Sequence, residues 1–133
     1  ANEVLSRLDQ DFIAGAKMYP KTGGIASNAV ELKVNAARRT PAAIGKMGEE
    51  DLFTFTAAAD GRYMVDTRGP TDVMVKLFGP NSETALIAED DDSGVDTNAR
   101  IVSDLVAGKY WVQVRHYNRQ TGMGNFTVKV RRT

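Results

Sequence analysis

From Val30 to the end of the chain, apolar and polar residues alternate with a period of two in several short runs. Such alternation is typical of β-strands with one buried side and one solvent-facing side. The alternating runs are VELKV, LFTFT (52–56), RYMVDT (62–67), DVMVKLF (72–78), KYWVQVR (109–115) and NFTVKV (125–130). Turn signals that contain glycine separate the runs and leave no room for helical crossovers. The pattern therefore predicts an all-β fold, an antiparallel sandwich or barrel of short strands.

The first residues of the chain show a different periodicity of apolar positions. Apolar residues recur at spacings of three and four over residues 3–18, which predicts a short amphipathic helix. Its apolar stripe consists of Val4, Leu5, Leu8, Phe12, Ile13 and Ala16. The polar side is not strongly basic, so packing on the domain or use as a linker is expected rather than binding to a membrane surface. We predict an N-terminal helix or linker over residues 1–29 and one β-sandwich domain over residues 30–133.

Composition and charge narrow the class of protein. A length of 133 residues suits one domain with a sizeable core. The absence of cysteine excludes disulfides, thiolate zinc sites and cysteine nucleophiles. No apolar run approaches the roughly 20 residues of a membrane-spanning helix. Because the chain starts with Ala1 rather than Met, a mature form or an excised piece of a longer protein is expected.

Charged residues are unevenly distributed along the chain. Residues 49–108 carry thirteen acidic and four basic groups, whereas residues 109–133 carry six basic groups and no acidic one. Neighbouring positions in the fold would let these segments offset each other. Because the basic residues form no dense run and the acidic segment would repel phosphate, no nucleic-acid partner is predicted.

The acidic run AEDDDSGVDTNARI (88–101) is the first candidate site. Calcium takes six to eight oxygen ligands, mostly carboxylates and carbonyls on flexible loops. Asp90, Asp91, Asp92 and the Asn98 amide would supply several, although the spacing is not that of an EF-hand. On an extended segment Asp90 and Asp92 would converge while Asp91 points away. The alternative is a solvated turn whose carboxylates cap backbone amides and pair with an arginine, Arg100 being the nearest.

The strand at residues 109–115 supplies the second candidate site. If Tyr110, Val112 and Val114 face the core, Trp111, Arg115 and Tyr117 lie on the opposite side. An exposed stripe of this kind would suit stacking on a sugar or docking of a protein. The alternative is that the N-terminal helix covers this side and makes Trp111 a core residue.

Catalytic machinery is not evident in the sequence. His116 is the only histidine, and none of the serines lies in a G-x-S-x-G nucleophile-elbow sequence. His116 is therefore interpreted as a polar residue at the end of a strand.

The order of the motifs resembles that of the bacterial pre-peptidase C-terminal (PPC) domain family. The resemblance rests on DLFTFTAAADGRYMVDTRGPTDVMVKLFGP, LIAEDDDSGVDTNARI, LVAGKYWVQVRHY and TGMGNFTVKV, and covers about residues 30 to 131. One departure is GMGNFTV, where the family more often has a single glycine before the aromatic residue. The resemblance implies a jelly-roll-like β-sandwich that follows secreted proteases or other exported hydrolases and is often removed during maturation. Some relatives bind calcium, collagen or polysaccharide, and the family places its acidic loop near a Thr-Asp pair, which nominates Asp72 as a further metal ligand.

Together these observations predict a non-catalytic accessory domain of an exported bacterial protein, secreted or periplasmic. Its expected partner is a neighbouring catalytic domain, and Ca²⁺ is the expected structural ion. The alternative function is a carbohydrate- or matrix-binding module that uses Trp111, Arg115 and Tyr117 to hold a polysaccharide or a matrix protein.

Overall fold

The computed structural model describes residues 29–94, 98–118 and 122–133. These residues form nine strands, and the predicted N-terminal helix lies outside them. The strands are β1 (Val30–Glu31), β2 (Thr40–Ile44), β3 (Glu50–Ala57), β4 (Gly61–Arg68), β5 (Val73–Phe78), β6 (Leu86–Asp90), β7 (Arg100–Leu105), β8 (Gly108–His116) and β9 (Gly124–Arg132). In this part of the chain no helix has the length and apolar character needed to span a membrane. The predicted boundary between residues 29 and 30 stays a prediction.

The strands form two sheets, one in the order β1-β3-β8-β5-β6 and the other in the order β2-β9-β4-β7. Strands β2 to β9 divide between the sheets as the eight strands of a double-sheet jelly roll do. The all-β, jelly-roll-like sandwich predicted from the sequence is therefore confirmed. Pairing is antiparallel except between β1 and β3, which run parallel. These two strands can run parallel because they are not joined by a hairpin: β2, which belongs to the other sheet, lies between them along the chain.

An aromatic stack occupies the core between the sheets. Phe55 on β3 stacks on Tyr110 of β8, with ring centroids 5.4 Å apart, and contacts Tyr63 of β4 at 6.3 Å. The contact between Phe55 and Tyr63 ties the two sheets together. Each tyrosine hydroxyl donates a hydrogen bond of 2.6 Å to the carbonyl four residues earlier, that of Ala59 or Val106. The rings are thus buried while their polar ends remain satisfied.

Strand β4 departs from simple alternation, because both of its sides are covered. Asp66, expected on a solvent-facing side, is only 3% exposed. Arg39, in the connection between β1 and β2, lies across it. Its Nη1 is 3.0 Å from Asp66 Oδ1, its Nη2 donates to the Asp66 carbonyl at 2.9 Å, and its Nε donates to Thr127 Oγ1 at 2.7 Å. This fork fastens the connection to the outer side of the four-stranded sheet.

Candidate functional site

The acidic run lies where two connections pass between the sheets. The β4–β5 connection leads from the four-stranded sheet to the five-stranded one, and the β6–β7 connection leads back. Asn98, which is 2% exposed, joins them: its Nδ2 donates to the Gly69 carbonyl at 3.0 Å, and its Oδ1 accepts from Thr67 Oγ1 at 3.3 Å. The Ala99 amide also donates to Thr67 Oγ1 at 3.0 Å. The base of the acidic loop is therefore held by a buried polar network.

Asp90, the last residue of β6, organises the turn that follows it. Its Oδ2 accepts from the backbone amides of Ser93 and Arg100, both at 2.9 Å, and its Oδ1 accepts from the Ser93 hydroxyl at 2.7 Å. Partial burial acts to raise the pKa of Asp90, but these hydrogen bonds to the charged form lower the pKa below its ordinary value. Asp90 is thus an ionised carboxylate at neutral pH.

The carboxylates of three consecutive aspartates converge beside this turn. One oxygen from each of Asp90, Asp91 and Asp92 lies within 4.8 Å of the others. The prediction that Asp91 points away is wrong, since the chain bends directly after β6 and residues 91–94 are not extended. The negative charge of Asp91 is the largest influence that raises the pKa of Asp92, and Asp90 and Asp72 act in the same direction. The loop therefore gathers mutually repelling charges, and Asp72 contributes to that field.

Two features of the loop differ from the sequence-based interpretation. Arg100 caps Asp90 through its backbone amide, and among the described residues its side chain forms no ion pair with Asp92. Instead Arg100 lies opposite Asp66 in the register of β7 and β4, which turns its side chain to the outer side of the four-stranded sheet. Ser93 was not singled out, although an aspartate followed three residues later by a serine is a common turn pattern.

The oxygens of this loop suit a hard cation. Asp90, Asp91 and Asp92 offer carboxylate oxygens in one place, and Asp72 is a further acidic group whose charge acts on Asp92. The Asn98 amide, also nominated from the sequence, is turned toward Thr67 and Gly69 and supports the loop. The assignment of Asp72, Asp90, Asp91, Asp92 and Asn98 as calcium ligands stays a prediction.

The second candidate site lies on the outer side of the five-stranded sheet. Trp111 is partly buried there, directly between Thr54 of β3 and Phe78 of β5. The ammonium group of Lys109 lies 5.5 Å from the centre of the Trp111 ring, a cation–π contact. Tyr110, Val112 and Val114 face the core, as the alternation of the strand predicts.

Arg115 and Tyr117 lie further along the chain than Trp111, toward the end of β8. Four residues along a strand separate Trp111 from Arg115, a distance of roughly 13 Å. The guanidinium of Arg115 donates to the carbonyls of His116 and Tyr117 and lies 3.0 Å from the sulfur of Met74. Tyr117 follows the end of β8 and is 55% exposed. The polysaccharide-binding stripe of Trp111, Arg115 and Tyr117 stays a prediction.

The only histidine closes strand β8. His116 is the last residue of the strand, and its Nδ1 accepts a hydrogen bond of 2.9 Å from the backbone amide of Asn118. Gly122 lies so close to the imidazole that any side chain at this position would collide with it. His116 thus organises the turn after β8.

Asp51 carries a perturbed carboxyl group that the sequence does not reveal. Burial, followed by a hydrogen bond and charge repulsion from Glu49, raises the pKa of Asp51 to about 8. Between its ordinary pKa and about 8 the folded chain holds a proton that the unfolded chain lacks, so stability falls as pH rises through this range.

The variant Asp51→Asn is therefore expected to be more stable than the wild type at pH 8, with a smaller difference at pH 5. The asparagine mimics the protonated carboxyl group and has no charge to bury. Urea unfolding at both pH values measures the effect, and Asp60→Asn provides an acidic-to-amide control elsewhere in the chain. A gain equal at the two pH values would contradict the raised pKa.

Comparisons with known proteins bear on the fold. No protein-family model matches the sequence, and no curated protein matches it. The structure is similar to the pre-peptidase C-terminal domain of collagenase from Bacillus anthracis, with 16% identity, a TM-score of 0.64, and coverage of 77% of this chain and 94% of that chain. Periplasmic inhibitors of g-type lysozyme called PliG also match. That of Aeromonas hydrophila has 19% identity, a TM-score of 0.49 and coverage of 77% and 96% of the two chains.

The PliG of Salmonella Typhimurium shares 17% identity at a TM-score of 0.46, with coverage of 77% of this chain and 99% of that chain. Both TM-scores are below 0.5, so no conclusion about this chain is drawn from either PliG protein. The likeness to the collagenase domain extends over nearly all of that domain and agrees with the order of the sequence motifs. The fold of this chain is that of the pre-peptidase C-terminal domain.

Proposed function

We propose that this chain is a non-catalytic accessory domain of an exported bacterial protein and that it holds a structural calcium ion at the loop after β6. Support comes from the fold, which is that of a domain found in a collagenase. In this role the domain lies beside a catalytic domain and aids its targeting, secretion or stability. The calcium ion orders the loop and neutralises its charge.

The observation that carries the calcium part of the proposal is the convergence of Asp90, Asp91 and Asp92. Their oxygens lie within 4.8 Å of one another at a point where Asn98 anchors the loop. Without a counter-ion the charges of Asp91 and Asp90 oppose ionisation of Asp92. A divalent cation would remove that opposition and let all three carboxylates remain ionised.

Calcium is favoured over magnesium by the form of the loop. Magnesium demands near-ideal octahedral geometry and keeps much of its water, whereas calcium accepts several carboxylates in irregular arrangements. Adjacent aspartates on one bend provide the latter. A site outside the cytoplasm would meet the calcium concentrations at which extracellular modules with dissociation constants of about 10⁻⁴ to 10⁻³ M are filled. This agrees with the proposed secreted or periplasmic location.

Calcium is expected to raise the melting temperature of the domain, and EDTA is expected to lower it again. At a free calcium concentration of 100 times the dissociation constant, binding to the folded state alone adds about 2.7 kcal/mol to the free energy of unfolding. For a chain of this size the gain corresponds to a rise of roughly 10 °C. Differential scanning calorimetry with and without calcium measures it.

The variant Asp91→Asn is expected to lose most of this rise, because it removes one of the three converging carboxylates. The turn itself should persist, since the hydrogen bonds from Ser93 go to Asp90. Asp104→Asn is the matched control. It removes an exposed carboxylate that pairs with Arg62 within the four-stranded sheet, and it should retain the full calcium effect. An unchanged melting temperature of the wild type in calcium and in EDTA would rule out the calcium site.

A further inference from the structure

Strand β7 forms one edge of the four-stranded sheet, and among the residues that the structure describes only β4 pairs with it. Its sequence is RIVSDL, residues 100–105. Ile101 and Leu105 are buried between the sheets. Val102, by contrast, is 50% exposed, and the side chain of Asp104 is 81% exposed. The outer side of this edge therefore combines an exposed apolar residue with an exposed charge.

The free backbone groups of the edge belong to alternate residues of β7. In an antiparallel ladder, successive residues direct their amide and carbonyl groups to opposite neighbours. The carbonyl of Arg62 in β4 accepts from the amide of Thr133, just after β9, at 2.9 Å. Even-numbered residues of β4 therefore bond to β9, and odd-numbered ones bond to β7. Because Val102 lies opposite Met64 and Asp104 lies opposite Arg62, the backbone groups of Val102 and Asp104 point away from β4.

Arg100, at the start of β7, supplies the opposite charge on the same side of the sheet as Asp104. Its backbone amide donates to Asp90 at 2.9 Å, and its side-chain Nε is buried with no hydrogen-bond partner in the described part of the chain. Its neighbour in β4, Asp66, already pairs with Arg39 at 3.0 Å. Within that same part of the chain, the guanidinium of Arg100 forms no ion pair.

The order of these residues makes the edge complementary to itself. Two copies of β7 can run antiparallel with Val102 opposite Val102. Arg100 of each copy then lies opposite Asp104 of the other, because each of them is two residues from the centre. Opposite charges directly across an antiparallel pair stabilise it. The same register brings the free backbone groups of both copies face to face, as an isologous twofold contact requires.

We propose that this chain forms a homodimer by antiparallel pairing of β7 with β7 of a second copy, about a twofold axis at Val102. Each Val102 amide donates to the Val102 carbonyl of the other copy, and each Asp104 amide donates to the Arg100 carbonyl of the other copy. The Arg100 amide stays on Asp90. The two four-stranded sheets thereby join into one continuous sheet.

The size of the contact sets its strength. It involves 6 residues of each copy, far fewer than the roughly 20–30 a side of a stable complex. The dimer is therefore weak and forms only at high protein concentration. It does not rest on calcium binding, since Val102 and Asp104 lie outside the acidic loop.

Sedimentation equilibrium of the full chain tests the proposal over about a hundredfold range of concentration, up to about 1 mM. The wild type is expected to pass from monomer to dimer. Val102→Lys is expected to raise the dissociation constant at least about tenfold, because it places like charges opposite each other at the axis. The matched control Val30→Lys changes a valine of similar exposure, 51%, at the edge of the other sheet, and should leave the constant unchanged. A wild type that stays monomeric, or equal weakening by both variants, would overturn the proposal.

An exchange of charges tests the register. Asp104→Lys and Arg100→Glu each place like charges across the axis, so each variant alone is expected to dimerise at least about tenfold more weakly than the wild type. In an equimolar mixture the two variants restore both opposite-charge pairs. The mixture is expected to associate within about threefold of the wild-type constant. A mixture no stronger than either variant alone would contradict the antiparallel pairing.

A measurement on the wild type alone does not depend on how a variant folds. Amide hydrogen exchange, followed residue by residue by NMR, is expected to slow at least about threefold at Val102 and Asp104 as protein concentration rises. Ile101 and Ser103, whose amides face β4, are expected to exchange slowly at every concentration. Slowing confined to another edge strand, or none at Val102 and Asp104, would overturn the proposal.

Discussion

Replacement of Phe55 by alanine is expected to lower the free energy of unfolding by about 3 to 5 kcal/mol, the range measured for buried aromatic residues cut to alanine. Phe55 is 1% exposed and packs on Tyr110 and Tyr63, one from each sheet. Its loss leaves a cavity between two side chains whose hydroxyls are fixed to the loops, so neither ring can move freely to fill the space. Equilibrium unfolding in urea, followed by circular dichroism, measures the change.

Tyr117→Ala is the matched control for this prediction. It also removes an aromatic ring, but from a side chain that is 55% exposed and outside the strands. Its effect is expected to remain within about 0.5 kcal/mol. A comparable loss of stability in both variants would show that the stack of Phe55, Tyr63 and Tyr110 is not where the sandwich derives its cohesion.

Replacement of Arg39 by leucine is expected to cost about 3 kcal/mol, because it leaves the buried carboxylate of Asp66 without its principal partner. The side chain of Asp66 is 5% exposed, and its pair with Arg39 has an N–O distance of 3.0 Å. The remaining cation, Arg68, approaches Asp66 only to 3.6 Å, and its side chain is 50% exposed. Arg39→Leu also removes the hydrogen bonds to the Asp66 carbonyl and to Thr127.

The control for this prediction is Arg62→Leu, which breaks the ion pair with Asp104. Both side chains of that pair are largely exposed, at 62% and 81%, so the expected cost is below about 1 kcal/mol. The double variant Arg39→Leu/Asp66→Leu removes both charges and is expected to recover part of the stability lost by Arg39→Leu. A double variant less stable than Arg39→Leu would contradict the role of the buried charge.

Most strands could be predicted from alternation alone because their inward residues are apolar. The alternating run at 52–56 lies within strand Glu50–Ala57, the run at 62–67 lies within strand Gly61–Arg68, and the run at 109–115 lies within strand Gly108–His116. Strands β2, β6 and β7 lie outside the alternating runs found in the sequence. The sequence of β2, TPAAI, contains a proline and small residues, and β6 runs into the acidic loop, so neither shows a clear two-residue period.

The candidate site was predictable in composition but not in its supports. Three adjacent aspartates stand out in any sequence, and the convergence of Asp90 with Asp92 was foreseeable, whereas that of Asp91 was not. Their anchor was not foreseeable, because Asn98 bonds to Thr67 and Gly69, about thirty residues away. The ion pair of Arg39 and Asp66 could not be predicted for the same reason, since it joins a connection to a strand 27 positions later. Only the fold brings such residues together.

The edge strands of the two sheets decide whether the domain should associate in concentrated solution. Exposed edge strands are templates on which other chains add strands and grow into fibrils. Here β1 has only two residues, β2 includes a proline that has no amide hydrogen to donate, and β6 ends in Glu89 and Asp90 beside an irregularity in its pairing with β5. Each of these features obstructs strand addition. Three of the four edge strands are therefore poor templates, and β7, the fourth, is the edge at which another chain is expected to pair in concentrated solution.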